Sequence, residues 1–237
     1  MMPLKSNESG EATTVVGRWE DGFTWMAHPE TTMRRASHAL AVGEDIWLVD
    51  PLDARGLDSE LEALGGVAGV VVLTNSHGRH ADRLATRHGV AIHVPDCFDR
   101  GAQPVAGFDA PVEFVDDELA DTGFELVWET ERRGWKEGAL YHPERRTLVV
   151  PDALMTALFA GRDGLLELFP FFRISPPRDA LGSRPVERIL VGHGEPVLED
   201  AQAALDAALD GAGGRAPTAI ARSIPTLARQ VFAELRS

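Results

Sequence analysis

Four groups of polar residues in this 237-residue chain stand directly after apolar runs. They are Asp50 after Ile46–Val49, the segment Thr74-Asn75-Ser76-His77-Gly78-Arg79-His80 after Val67–Leu73, Asp152 after Thr147–Val150, and His193 after Arg188–Val191. Short continuous apolar runs read as strands buried on both faces. In α/β sheets, ligands collect just beyond the carboxyl ends of such strands. Histidine and aspartate are also the residue types that bind a borderline cation such as zinc. Two histidines and an aspartate leave a coordination position for water, which the ion makes acidic enough to attack an ester or amide near neutral pH. His193 lies between Gly192 and Gly194, and the missing Cβ atoms permit close backbone approach.

The elements that must carry these groups follow from periodicity and turn residues. Ala39–Val42 and Ile46–Val49 flank Gly43-Glu44-Asp45 and predict a hairpin, which Pro51 ends. Leu57, Leu61 and Leu64 are spaced as on a helix, stopped by Gly65-Gly66. Val67–Leu73 predicts a strand, Ala81 to His88 a helix with Gly89 as its stop, and Val90–Val94 the next strand. This alternation argues for a layered α/β domain. Further strands are predicted at Val112–Val115, Phe124–Glu129, Gly138–Tyr141, Thr147–Val150 and Arg188–Val191, and helices at Leu198 to Leu209 and Ile224 to Leu235.

Composition narrows the function classes. A hydrophobic share of 44% suits a globular protein. No apolar run reaches the roughly 18 residues that span a bilayer. A net charge of −14 argues against nucleic acid, which requires a basic face. The only lysines are Lys5 and Lys136. The single cysteine, Cys97, excludes an internal disulfide and a multi-cysteine metal knot. Residues 1–13 are polar and lack an apolar signal core, which reads as a flexible tail before one domain over 14–237, in a cytoplasmic protein.

The order of the four strand ends resembles the metallo-β-lactamase superfamily. Leu48-Val49-Asp50-Pro51 is similar to that family's strand ending in Asp, and Thr74 to His80 to its HxHxDH loop. Leu148 to Leu154 is similar to the strand carrying the bridging Asp, and Gly192-His193-Gly194-Glu195-Pro196 to the last-histidine motif. The resemblance covers about residues 36 to 210 and implies an αββα sandwich, mostly hydrolytic, using one or two zinc, iron or manganese ions.

The motif is incomplete. Asn75 stands at the first histidine, Arg79 at the loop aspartate, and Thr130 to Gly138 lacks the family's remaining histidine. Mapped onto this chain, the resemblance implies at most one ion, on His80, Asp152 and His193, with His77 as a further ligand. Asp152, His77 and Arg79 are the implied catalytic residues, His77 orienting water or substrate and Arg79 binding an anionic group. Asp50 and Asn75 are expected to support them from behind. Asp82 is a substitute ligand if the loop refolds. A guanidinium so placed opposes a divalent cation and offers Asp152 a bidentate partner instead. Two functions follow: a hydrolase of a small ester, thioester or phosphoester, or an inactive member, without metal, that binds a small anion or a protein.

Several residues have plainer readings. His77 and His80 can be structural. His28, His38, His88, His93 and His142 read as surface or strand-packing residues. Ser76 and His77 are adjacent and make no nucleophile–base pair. Trp25, Trp47, Trp128 and Trp135 read as core, Trp135 also as a pocket wall, and Phe169-Pro170-Phe171-Phe172 as core, pocket or oligomer contact.

Overall fold

A computed structural model describes residues 5–132, 134–157 and 164–211. The helix expected at 224–235 and the glycine joint at 212–214 lie outside these.

Seven strands form one sheet in sequence order: β1 (Thr14–Trp19), β2 (Gly22–Met26), β3 (Ser37–Val42), β4 (Asp45–Val49), β5 (Gly66–Val71), β6 (Ile92–Pro95) and β7 (Val112–Val115). The first four are antiparallel, and β4 to β7 run parallel, with α1 (Leu57–Glu62) between β4 and β5 and α2 (Ala81–His88) between β5 and β6. A second sheet has the order β13-β10-β9-β8, from β8 (Glu125–Arg132), β9 (Trp135–His142), β10 (Thr147–Val150) and β13 (Arg188–Val191). A small pair, β11 (Leu154–Met155) and β12 (Glu167–Leu168), follows β10. Two further helices, α3 (Arg178–Leu181) and α4 (Ala201–Asp210), flank β13 in sequence.

Side chains alternate across each strand, so a strand covered on both faces feeds two cores. Trp47 and Val49 of β4, Val71 of β5, Val149 of β10 and Leu190 of β13 share one cluster between the sheets. Ile46, Leu48 and Val70 point the other way, against Leu57, Leu61 and Leu84 of α1 and α2. Leu148, Val150, Ile189 and Val191 pack under Leu205 and Leu209 of α4. The layers are therefore helix, sheet, sheet, helix.

The expected elements occur with shifted ends. The hairpin at Gly134 is longer than expected because its polar strand ends, Thr130 to Arg132 and Trp135 to Glu137, are paired by backbone ladders rather than by an apolar pattern. The expected flexible tail is docked where it is described. Gly10 and Ala54 form a bridge, and the Gly10 and Thr13 amides donate to the carbonyls of Asp53 and Arg55, at 2.9 and 3.0 Å. The segment between β4 and α1 has backbone groups with no sheet neighbour there, and the tail supplies one. Among the described residues no helix is long and apolar enough to cross a membrane.

Candidate functional site

All four groups lie at one edge of the sandwich. β4 and β5 are parallel neighbours in one sheet, and β10 and β13 in the other, so each pair ends on the same side. The sheets are joined there: Thr74 bridges Glu137, and the Asn75 amide donates to the Lys136 carbonyl at 3.0 Å. Gly192 allows the crossing. A Cβ on it would stand 2.4 Å from the Pro151 carbonyl oxygen and 2.9 Å from His77 Cε1.

His77, Asp152 and His193 converge. His77 Nε2 is 3.2 Å from both Asp152 Oδ1 and His193 Nε2, and His193 Nε2 is 3.0 Å from Asp152 Oδ1. All three side chains are buried. The outer ring nitrogens are pinned. His77 Nδ1–H donates to Asp50 Oδ2 at 2.9 Å, and His193 Nδ1–H donates to the Met33 carbonyl at 2.8 Å. Both Nε2 lone pairs therefore turn inward. Ser76 Oγ donates to Asp152 Oδ2 at 3.0 Å, which leaves Oδ1 toward the imidazoles. Ser76 is exposed, so the centre approaches solvent on this side.

The geometry of the cluster suits a cation. Burial by itself would raise the Asp152 carboxyl, but the adjoining His77 and His193 imidazoles outweigh it and hold it well below the usual range. Burial lowers His193, and the Asp152 carboxylate offsets this only in part. Both Nε2 atoms and Asp152 Oδ1 thus stand within 3.2 Å of one another, an arrangement that a shared proton or an ion would hold. Donor atoms around a tetrahedral zinc stand about 3.3 Å apart, given bonds near 2.0–2.1 Å. The cluster matches that spacing to within a few tenths of an ångström, and its residue types are those of a metal site. Imidazoles whose second nitrogen donates to a carboxylate or carbonyl are also the usual support of such sites.

No family model and no curated protein matches the sequence. Solved structures do match. The metallo-β-lactamase from Pontibacter korlensis superposes with a TM-score of 0.59 at 13% identity, over 84% of this chain and 99% of that one. DIM-1 metallo-β-lactamase gives 0.57 at 12% identity, over 90% and 100%. The FIM-1 metallo-β-lactamase from Pseudomonas aeruginosa, in its mono-zinc form, gives 0.53 at 13%, over 86% and 100%. The chain has the metallo-β-lactamase fold. The αββα sandwich expected from the strand-end motifs is the architecture found.

Within that fold the site residues sort differently from the motif. His80 stands outside the cluster. Its Nδ1 accepts from the Asp53 amide at 2.9 Å and its Nε2–H donates to the Asn7 carbonyl at 3.0 Å, so both nitrogens are committed. His77 takes the place that the motif assigned to His80. Asp82 is no ligand either, since its Oδ1 accepts the Asp109 and Ala110 amides at 2.7 and 2.9 Å.

Arg79 departs furthest from expectation. No hydrogen bond joins it to Asp152, and it does not present a fork to an anion. Nη1 donates to the Ala36 and Asp50 carbonyls at 2.6 and 2.8 Å, and Nη2 to the Gly192 carbonyl at 3.2 Å and to His77 Nε2 at 2.9 Å. Its backbone has φ +37°, in the left-handed region that β-carbon sterics disfavour. The bonds of the guanidinium offset that strain.

Asp50 accepts from His77 Nδ1–H and, at 3.0 Å, from the Leu73 amide. Asn75 does not reach the centre. Its side chain clamps the β8–β9 turn, donating to the Gly134 carbonyl at 2.7 Å and accepting the Lys136 amide at 3.1 Å.

Two contributors escaped sequence reasoning. Glu137 is fully buried, and its Oε1 accepts the Asp152 and Ala153 amides at 2.9 and 2.8 Å. Burial and the nearby Asp152 carboxylate push it up to about 8, against the pull of those amides. Its only sequence signal is that it is the single acid of β9. Trp135 donates to Glu137 Oε2 at 3.0 Å and packs on Phe169 at 5.2 Å between ring centroids, which ties the aromatic cluster to the strand behind Asp152. Ser76 was weighed only as a nucleophile. Cys97 is no reactive thiol, because burial and Glu129 push it up to about 12.

Proposed function

We propose that this protein is a hydrolase-like metal protein carrying one ion of zinc, iron or manganese on His77, Asp152 and His193, in the cytoplasm. The observation that supports it is the convergence of three acceptor atoms within 3.2 Å, with both outer imidazole nitrogens already donating elsewhere. When bound, such an ion acidifies a water for attack on a carbonyl or phosphoryl centre. The chain's own residues do the positioning. Asp50 fixes the His77 tautomer, the Met33 carbonyl fixes that of His193, and Ser76 holds the outer oxygen of Asp152. The exposed Ser76 side is the approach for a small ester, thioester or phosphoester.

Beside it, a cleft of about 240 Å³ is lined by Asn75, Phe98, Gln103, Glu131 and Lys136 among others. Lys136 already donates to the Cys97 carbonyl at 2.6 Å and pairs with Asp99 at 3.1 Å. With Arg79 also spent on carbonyls, a neutral polar substrate fits better than a strongly anionic one.

Metal content after chelator-free purification tests the proposal, for the native protein and for His193→Ala. The expected result is bound ion that disappears in the variant, with activity on an ester, thioester and phosphodiester panel falling alongside. Activity retained in His193→Ala rejects the mechanism. The inactive, ligand-binding reading is favoured by one observation, the Arg79 bond to His77. Apo-protein whose thermal stability is unmoved by zinc, manganese or iron(II) would establish it.

A further inference from the structure

We propose that Arg79 is a built-in cation of this centre, competing with a metal ion for His77 and so setting how tightly the centre takes one. This rests on the single-ion reading above. Its ground is the hydrogen bond from Arg79 Nη2–H to His77 Nε2, at 2.9 Å. An imidazole nitrogen has one in-plane lone pair. His77 Nδ1 is already donating to Asp50, so Nε2 is the only atom His77 can offer a metal. Accepting from Arg79 and ligating an ion therefore exclude each other. With Arg79 in place, Asp152 and His193 alone face the ion, below the three protein ligands usual at a catalytic site.

The arginine is built in rather than incidental. Three carbonyls position it, each from a segment that shapes the centre: Ala36 before β3, Asp50 after β4 and Gly192 after β13. None of these acceptors carries charge, so the guanidinium keeps its full positive charge beside the cluster. Asp50 and Asp152 act on it through space. Among the described residues its Nε–H is buried without an acceptor. The arrangement thus leaves one donor unsatisfied. The centre has two exclusive states, one with the guanidinium on His77 and one with a metal there.

Cobalt(II) titration followed by visible absorption, which reports tetrahedral ligation, distinguishes the states. The native protein is compared with Arg79→Gln, Arg79→Met and Arg79→Lys. The neutral variants are expected to bind roughly tenfold tighter or more, the usual scale for a residue next to a ligand. Arg79→Lys, which keeps the charge, is expected to stay weak. Native binding as tight as that of the neutral variants overturns the inference and leaves the single-ion reading standing. Binding by no variant overturns both.

If the neutral variants do not fold, the native protein carries the test. A nitrogen–nitrogen coupling across the hydrogen bond between Arg79 Nη2 and His77 Nε2 is expected in metal-free, ¹⁵N-labelled protein and is lost on adding zinc. Its absence from metal-free protein overturns the inference.

Discussion

His77 and His80 share one loop yet end in opposite surroundings. Around His80 every partner is complementary: Asp53 N–H meets Nδ1, the Asn7 carbonyl meets Nε2–H, and the Asp53 carboxylate is paired with Arg87 at 2.6 Å and Arg83 at 3.2 Å. Around His77 the acceptors outnumber the donors. Its Nε2, His193 Nε2 and Asp152 Oδ1 face one another, and one guanidinium hydrogen reaches only the first of them. Buried polar groups in a purely structural network are satisfied. A buried cluster of facing acceptor atoms is what the proposed ion would satisfy. The two histidines therefore differ in surroundings, and only His77 joins the cluster of Asp152 and His193.

The largest expected effect comes from breaking the support of the centre. Asp50→Ala orphans the His77 Nδ1–H and the Leu73 amide together, and urea unfolding should show a loss of about 3–5 kcal/mol, the cost of leaving two buried donors unsatisfied. A loss below about 1 kcal/mol would mean that Asp50 does not hold His77.

Acid should strain the same side next. His38 is buried beside the centre, its Nδ1 accepting from Thr24 Oγ1 at 2.8 Å, and burial lowers it from 6.5 to about 3. The folded state thus binds the proton less well than the unfolded chain. Stability is full above pH 6.5 and falls as pH drops toward 3. By about pH 5 the loss should reach about 2 kcal/mol, and His38→Gln should flatten that limb of the urea-midpoint profile.

His80→Ala sharpens the contrast directly. It should cost about 1–2 kcal/mol, because two hydrogen bonds go, yet metal content should equal that of the native protein. If metal is lost as in His193→Ala, the contrast between the two histidines is wrong. Asn75→Ala should have the smallest effect. Loss of its clamp on the β8–β9 turn should cost about 1 kcal/mol, with faster amide exchange near Gly134 and unchanged metal content.

The layered fold was legible because buried strands advertise themselves as apolar runs, and the four strand ends followed from them. β1 and β2 were not legible. Thr14–Trp19 contains Gly17 and Arg18 amid its apolar residues, and only pairing with Gly22–Met26 makes it a strand. Glu137 showed only as the lone acid of its strand, since the two amides it receives come from residues 152 and 153, which folding alone brings beside it. Arg79 is visible in the sequence as the residue at the loop aspartate, but the acceptors it reaches are not. A long side chain on a tight loop can reach several acceptors, and the backbone at φ +37° sends it to carbonyls instead of Asp152.

The order of residues alone determined which chemistry this protein can hold: two imidazoles and a carboxylate at strand ends, in a chain without the cysteines or basic face of other classes. Those properties are local, set by side-chain type and by a two-residue repeat. Which histidine joins the carboxylate was decided only by folding. His80 is drawn off by Asn7 and Asp53, and His77 is turned inward by Asp50, partners 73, 27 and 27 residues away along the chain. Hydrogen bonds over such separations have no periodic trace, because they exist only once both sheets and the docked tail are in place.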